Sequence, residues 1–209
     1  MGVQARQIPA AGQTLERVID AQVRAVDEGS RQVELSFSSE FPVPRWGELE
    51  ILSHDQGAVD MKRLLQVGTV LFDHGKDVRF GKLPVAKIDE AWVDTDRKGR
   101  AKVTFDEDPD SDLIFQKVKK HFLQGISVRY EVDSWEEVAP GKMSSNGRFT
   151  GPAFVALKWA PTEISFEPVP ADPSVGVGRS ADEPPKLGEE CNQNIAFLET
   201  QLKHNKNYL

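Results

Sequence analysis

Cysteine is nearly absent: Cys191 is the single one in 209 residues. That excludes an internal disulfide framework and any cysteine-based zinc site, and it fits a reducing compartment. Positive charge is short as well. Lys and Arg number 26 against 33 Asp and Glu, for a formal net charge of −7. Such a chain lacks the basic field that draws in a phosphate backbone, so no nucleic acid partner is expected. No run approaches the about 18 apolar residues of a membrane span, and no membrane association is expected. The opening Met1-Gly2-Val3-Gln4-Ala5-Arg6-Gln7 leads into Pro9 and Gly12, not into an apolar signal core, so a cytoplasmic protein is expected. Ligand clusters with metal spacing are missing too, and neither a metal nor an organic cofactor is expected.

What is present is globular material, 39% hydrophobic and 28% charged, enough for one core plus tails. Residues 1–14 read as a flexible arm and residues 15–177 as one domain. Residues 178–209 read as a linker marked by Pro184-Pro185, followed by a short amphipathic helix carrying Ile195, Leu198 and Leu202. Within the domain, Glu28-Gly29-Ser30 is a turn signal and the stretch after it alternates strictly. The pattern predicts a hairpin of Glu16–Asp27 with Gln32–Ser38. Pro42 and Pro44 each remove a ladder donor and break that pairing.

Val59–Leu65 predicts a short helix with Asp55 or Asp60 near its cap. Thr69-Val70-Leu71-Phe72 predicts a buried strand that delivers Asp73-His74-Gly75 at its end, and Leu83–Asp89 and Arg100–Phe105 predict two more. The clearest helix opens at Asp108-Pro109-Asp110-Ser111-Asp112. Acids at its start and Lys117, Lys119, Lys120 and His121 at its end suit the macrodipole. Leu113, Phe115, Val118 and Phe122 form its apolar side, and Gly125 is placed to stop it. Ile126–Val132 and a segment within Lys158–Val169 alternate as strands, with Ala139–Gly151 between them as a mobile surface loop. This order predicts an α+β domain: a mainly antiparallel β-sheet or barrel with one or two helices.

Among the four histidines, His204 reads as solvated tail and His121 as a helix-dipole partner. His54, between Ser53 and Asp55, reads as a capping or surface residue. His74 differs, because it ends a strand between Asp73 and a glycine, where backbone can approach a substrate. A structural role is still the commoner one for such a residue. Along Gly125-Ile126-Ser127-Val128-Arg129-Tyr130, the period of two puts Ser127, Arg129 and Glu131 on one face. Ser127 is thus either an ordinary surface serine or a nucleophile at a strand edge. Glu163, Ser165 and Glu167 share a later face, the wet side of a strand or a source of one carboxylate for a neighbouring histidine. Serine hydrolysis needs a hydroxyl, an imidazole and a group that holds its tautomer. The chain supplies these in the order His74, Ser127, Glu163, although spacing does not show that they meet.

Five runs carry a family likeness. Ser38-Ser39-Glu40-Phe41-Pro42-Val43-Pro44-Arg45-Trp46-Gly47, Glu50-Ile51-Leu52-Ser53-His54 and Leu71-Phe72-Asp73-His74 resemble the front half of the tailed-phage prohead proteases. Gly125–Tyr130 resembles their nucleophile strand, and Glu163-Ile164-Ser165-Phe166-Glu167-Pro168-Val169-Pro170-Ala171-Asp172-Pro173 their closing strand. The likeness runs from about Glu16 to Val177. These enzymes are similar to the herpesvirus assemblins, serine peptidases with a β-barrel wrapped by helices.

The resemblance implies Ser127 as nucleophile and His74 as general base. Glu163, where assemblins place a second histidine, becomes the orienting carboxylate, with Glu167 or Asp73 as fallbacks. Two positions depart from the family. Arg129 stands where a glycine is frequent, and would crowd or line the substrate groove. Gly75 stands where an acid often follows the histidine. The implied substrates are the major capsid protein precursor or its scaffolding segment, inside the procapsid in the host cytoplasm. Self-cleavage after Val177 and self-association are also expected. The alternative is a weak or inactive assembly factor of the same fold that binds capsid protein, which Arg129 favours.

Overall fold

The computed structural model describes residues 11–20, 23–45 and 47–168. The chain divides into two units, Met1–Val175 and Gly176–Leu209. The second, with the expected linker, Cys191 and the terminal helix, lies outside the described residues.

Among the described residues, ten strands and two helices follow one another: β1 (Thr14–Asp20), β2 (Val23–Asp27), β3 (Gln32–Ser39), β4 (Val43–Arg45), β5 (Glu48–Leu52), α1 (Lys62–Val67), β6 (Thr69–Phe72), β7 (Ala86–Val93), β8 (Lys98–Phe105), α2 (Pro109–Lys119), β9 (Gly125–Val138) and β10 (Ala153–Glu167). They form one sheet in the order β1-β9-β10-β6-β7-β8-β3-β2, with β5 on β10 and β4 on β5. The sheet curls into a half-barrel. Its pairings are antiparallel except where β10 meets β5 and β6. The fold is therefore α+β and mainly β, as the strand-rich pattern predicts.

The hairpin exists, but it is shorter than expected. β2 pairs with β3 from Asp27↔Gln32 upward, and the Asp27 carboxylate accepts the Gly29 N–H across the turn at 2.9 Å. β1 instead goes to the far end of the sheet, where it lies antiparallel to β9 from Thr14↔Glu131 to Asp20↔Gly125. Leu15 and Arg17 point into the core, so one alternating stretch serves two partners that the local pattern does not separate. The prolines do lie beyond that pairing, since β3 ends at Ser39. Pro44 sits in β4, which pairs only with β5, the edge position that a missing donor permits.

Helix α1 starts later than expected, with Asp60 accepting the Lys62 N–H at 3.0 Å. α2 is capped by Asp108, whose side chain accepts from the N–H groups of Asp110 and Ser111. Its buried face is Ile114, Phe115 and Val118. Phe122 is 81% exposed, because the left-handed His121 (φ 59°) has already ended the helix. Gly125 is no helix stop: it opens β9. A Cβ there would lie 2.5 Å from the Glu167 carbonyl oxygen, so glycine is what lets β9 and β10 close up at this end of the sheet. Residues 139–151 form a bridged turn. Met143 bridges to Thr150 and Pro140 to Gly151, with Ser144 buried inside.

One large cluster of buried side chains makes up the main core. Leu35 and Phe37 of β3, Val103 and Phe105 of β8, Ile126, Val128 and Tyr130 of β9, and Trp159, Ile164 and Phe166 of β10 are all buried in it.

Candidate active site

β10 is the hinge of the arrangement. On one side it runs antiparallel to β9 with Ser165 opposite Ser127 and Glu163 opposite Arg129. On the other it runs parallel to β6 with Phe166 opposite Phe72. The tight turn after Phe72 therefore opens beside the start of β9. In that turn Asp73, His74 and Gly75 all take positive φ, at 47°, 49° and 70°. Two of these are not glycine, a conformation that costs on the order of 1–3 kcal/mol each and survives only where the surroundings hold it. Buried Ser165 does the holding: its Oγ accepts the His74 backbone N–H at 2.8 Å. Gly75 is needed as it stands, since a Cβ would meet the Gly81 carbonyl oxygen at 3.0 Å.

The turn delivers the imidazole to Ser127. His74 Nε2 lies 2.6 Å from Ser127 Oγ, and His74 Nδ1 lies 2.6 Å from Glu163 Oε1. A carboxylate only accepts, so Nδ1 carries the proton and Nε2 is free to receive the serine hydroxyl. His74, Ser127 and Glu163 are thus brought together. Of the two fallback acids, neither takes Nδ1. Glu167 Oε1 stands 3.5 Å from Nε2 instead, and Asp73 flanks Glu167.

Arg129 lies behind the triad. Its Nη1 donates to Glu163 Oε2 at 2.9 Å, while Nε and Nη2 reach Glu16 Oε1 at 2.8 and 2.7 Å. Glu16 Oε2 then takes Lys76 Nζ at 3.1 Å and stands 4.0 Å from His74 Nε2. Burial opposes charge on Glu16, yet the hydrogen bonds from Arg129 and Lys76 hold its carboxyl below the ordinary range. Burial likewise opposes charge on Arg129, and its bond to Glu16 and the field of Glu163 outweigh that to raise it. Glu167 moves the other way: burial pushes its carboxyl up and the neighbouring Asp73 charge adds to this, against the pull of His74.

Ser127 is 0% exposed. β1 lies beside it in the sheet, with Val18 opposite and the Arg17 carbonyl oxygen 3.2 Å from Oγ. Glu16 and Lys76 have no signal in the sequence, because what selects them is the register of β1 on β9, 113 positions apart for Glu16 and Arg129.

His54 belongs to a second Ser–His pair, and the surface or capping expectation is corrected. It is 3% exposed, with Nε2 2.8 Å from Ser38 Oγ and Nδ1 2.9 Å from the Leu52 carbonyl oxygen. A backbone carbonyl stands where a triad needs a carboxylate. Burial lowers this imidazole to about 4, so it is neutral and packs edge-on against Trp159. A cleft of about 420 Å³ opens at His54, Asp55 and Arg97 and touches no member of the His74 group. Among the described residues, no group of three or more His, Cys, Asp or Glu side chains is arranged to hold a metal ion. No described helix is long and apolar enough to cross a membrane.

Fold and site together define a mainly-β domain that carries a buried Ser–His–Glu hydrogen-bonded chain at one sheet end. No protein-family profile matches the chain, and no solved structure does. The sequence is similar to the major capsid protein of Halomonas phage phiHAP-1, 34% identical over 149 residues. The match covers 71% of this chain and 23% of that protein. The chain is thus related to a phage capsid protein and spans about a quarter of its length.

Proposed function

We propose that the chain is a serine endopeptidase of phage capsid assembly, cutting the capsid precursor or its scaffolding segment within the procapsid in the host cytoplasm. The observation that carries this is the 2.6 Å contact of His74 Nε2 with Ser127 Oγ, backed by the 2.6 Å contact of Nδ1 with Glu163. Ser127 Oγ attacks the scissile carbonyl carbon as His74 Nε2 takes its proton. Glu163 keeps the ring in the needed tautomer and steadies the imidazolium, and Arg129 keeps Glu163 in place. The C–N bond then breaks, the amine leaves with the proton from Nε2, and water clears the acyl group by the same route. The likeness to a protein named as a major capsid protein supports a capsid substrate. The chain itself is the second substrate, cut after Val177.

Mixing the intact protein with capsid precursor, and following the mass of both, tests this. Native protein shortens the precursor, and Ser127→Ala does not. Processing that survives in Ser127→Ala removes the assignment. One observation favours the other reading, a capsid-binding assembly factor without activity: Ser127 has no exposed surface. A precursor that is bound but never cut by native protein establishes that reading instead.

A further inference from the structure

The mechanism above leaves one buried group unused. Glu167 is 8% exposed, and its Oε1 is buried without a hydrogen-bond partner. That oxygen lies 3.5 Å from His74 Nε2, the nitrogen that meets Ser127 at 2.6 Å. Leaving a buried acceptor unpaired costs free energy, so such an atom calls for an explanation. The cations of the site do not satisfy it, because Arg129 and Lys76 are held by Glu16 and Glu163. Glu163 occupies the opposite side of the ring, at Nδ1. Ser165 and Asp73 bond to the same carboxyl group, yet neither satisfies Oε1.

We infer that Glu167 Oε1 is the acceptor for the departing amine of the scissile bond. The inference rests on the protease reading. When the tetrahedral intermediate breaks down, the imidazolium gives its Nε2 proton to the former amide nitrogen. The C–N electron pair goes to that nitrogen, and Ser127 keeps the acyl group. To receive the proton, the nitrogen must sit about 3 Å from Nε2. Oε1, at 3.5 Å from the same atom, borders that position. The nitrogen gains positive charge as the proton arrives, and its N–H groups need an acceptor. A fixed carboxyl oxygen there accepts from the charged leaving group more strongly than from the neutral amide of the bound substrate, which lowers the barrier. Glu167 itself neither gives nor takes the proton.

An amide and an ester of one acyl sequence separate this role from a structural one. The full chain is assayed on a peptide amide carrying the sequence cut in the precursor, and on the p-nitrophenyl ester of the same acyl part. p-Nitrophenolate departs without a proton and needs no acceptor for N–H groups. Glu167→Met, which keeps length and removes the acceptor, is expected to lose at least about tenfold more kcat/KM on the amide than on the ester. Glu167→Gln, which keeps a carbonyl oxygen, falls between Met and native and serves equally if the Met variant folds poorly. Equal losses on both substrates, or none on the amide, overturn the inference while Ser127-dependent hydrolysis stands. Native protein that hydrolyses neither substrate overturns the protease reading, and this inference with it.

Discussion

Arg129 Nη1 donates to Glu163 Oε2 at 2.9 Å, on the carboxylate whose other oxygen meets His74 Nδ1 at 2.6 Å. Arg129 therefore bonds to the carboxylate that meets the imidazole. Arg129→Met leaves Glu163 with one partner fewer and a looser grip on the ring. Small misplacements of a reacting group are costly, and kcat on a cleaved peptide should fall by roughly tenfold or more. KM should change little, because Arg129 supports the imidazole and not the bound peptide. A variant that raises KM at constant kcat would place Arg129 in the substrate groove.

The burial of Ser127 leads to the second expectation. Glu16 ties Lys76 to Arg129 across the site, and Ser127 has no exposed surface. Both Lys76 and Glu16 are more than a third exposed in their side chains, so salt weakens that tie. Labelling of Ser127 by a fluorophosphonate should be slow in the native protein at low salt and faster at high salt. Glu16→Gln should label faster at low salt and lose most of the salt response. Equal rates for the two proteins at every salt concentration would show that Glu16 does not limit access.

The period-two faces of β9 and β10 and the acid-led start of α2 are local features, and they appear in the structure as the sequence reads. Ile126, Val128 and Tyr130 go to the core as their alternation requires. What lies beyond the sequence is which strand lies beside which. His74 and Ser127 are 53 positions apart, and they meet because β10 separates β6 from β9 and has Ser165 and Phe166 in register with both. The residue types at 74, 127 and 163 were legible, and the register that joins them was not. The same limit hid Glu16 and split β1 from β2. His54 reads as a surface residue for a related reason: its partners are Ser38 on another strand and a backbone carbonyl, neither of which leaves a mark in Ser53-His54-Asp55.

Gly75 offers a sharp test of the His74 turn. Its φ of 70° suits glycine, and an added Cβ would meet backbone at Gly81 and the Lys82 side chain, each at 3.0 Å. Gly75→Asp should cost on the order of 1–3 kcal/mol of stability. It should also slow Ser127 labelling at temperatures where the variant is still folded, because the strain falls next to His74. Urea unfolding checks the first effect and fluorophosphonate labelling the second. An Asp variant as stable and reactive as native protein would mean that the turn relaxes without disturbing the ring.

Acid sensitivity should come in part from His54, which has no place in the proposed chemistry. Its imidazole is buried and lowered from 6.5 to about 4, so the folded state binds the proton less tightly than the unfolded chain. The contribution of neutral His54 is therefore complete above about pH 6.5, shrinks as pH falls, and is gone below about 4. Over that window the loss amounts to roughly 3 kcal/mol, taking 1.36 kcal/mol for each pH unit. His54→Gln removes the titrating group and can still bond to Ser38. Its unfolding free energy should be lower than that of native protein at pH 7 and should decline less between pH 7 and pH 4.5. Parallel declines for the two proteins would assign the acid sensitivity to other groups.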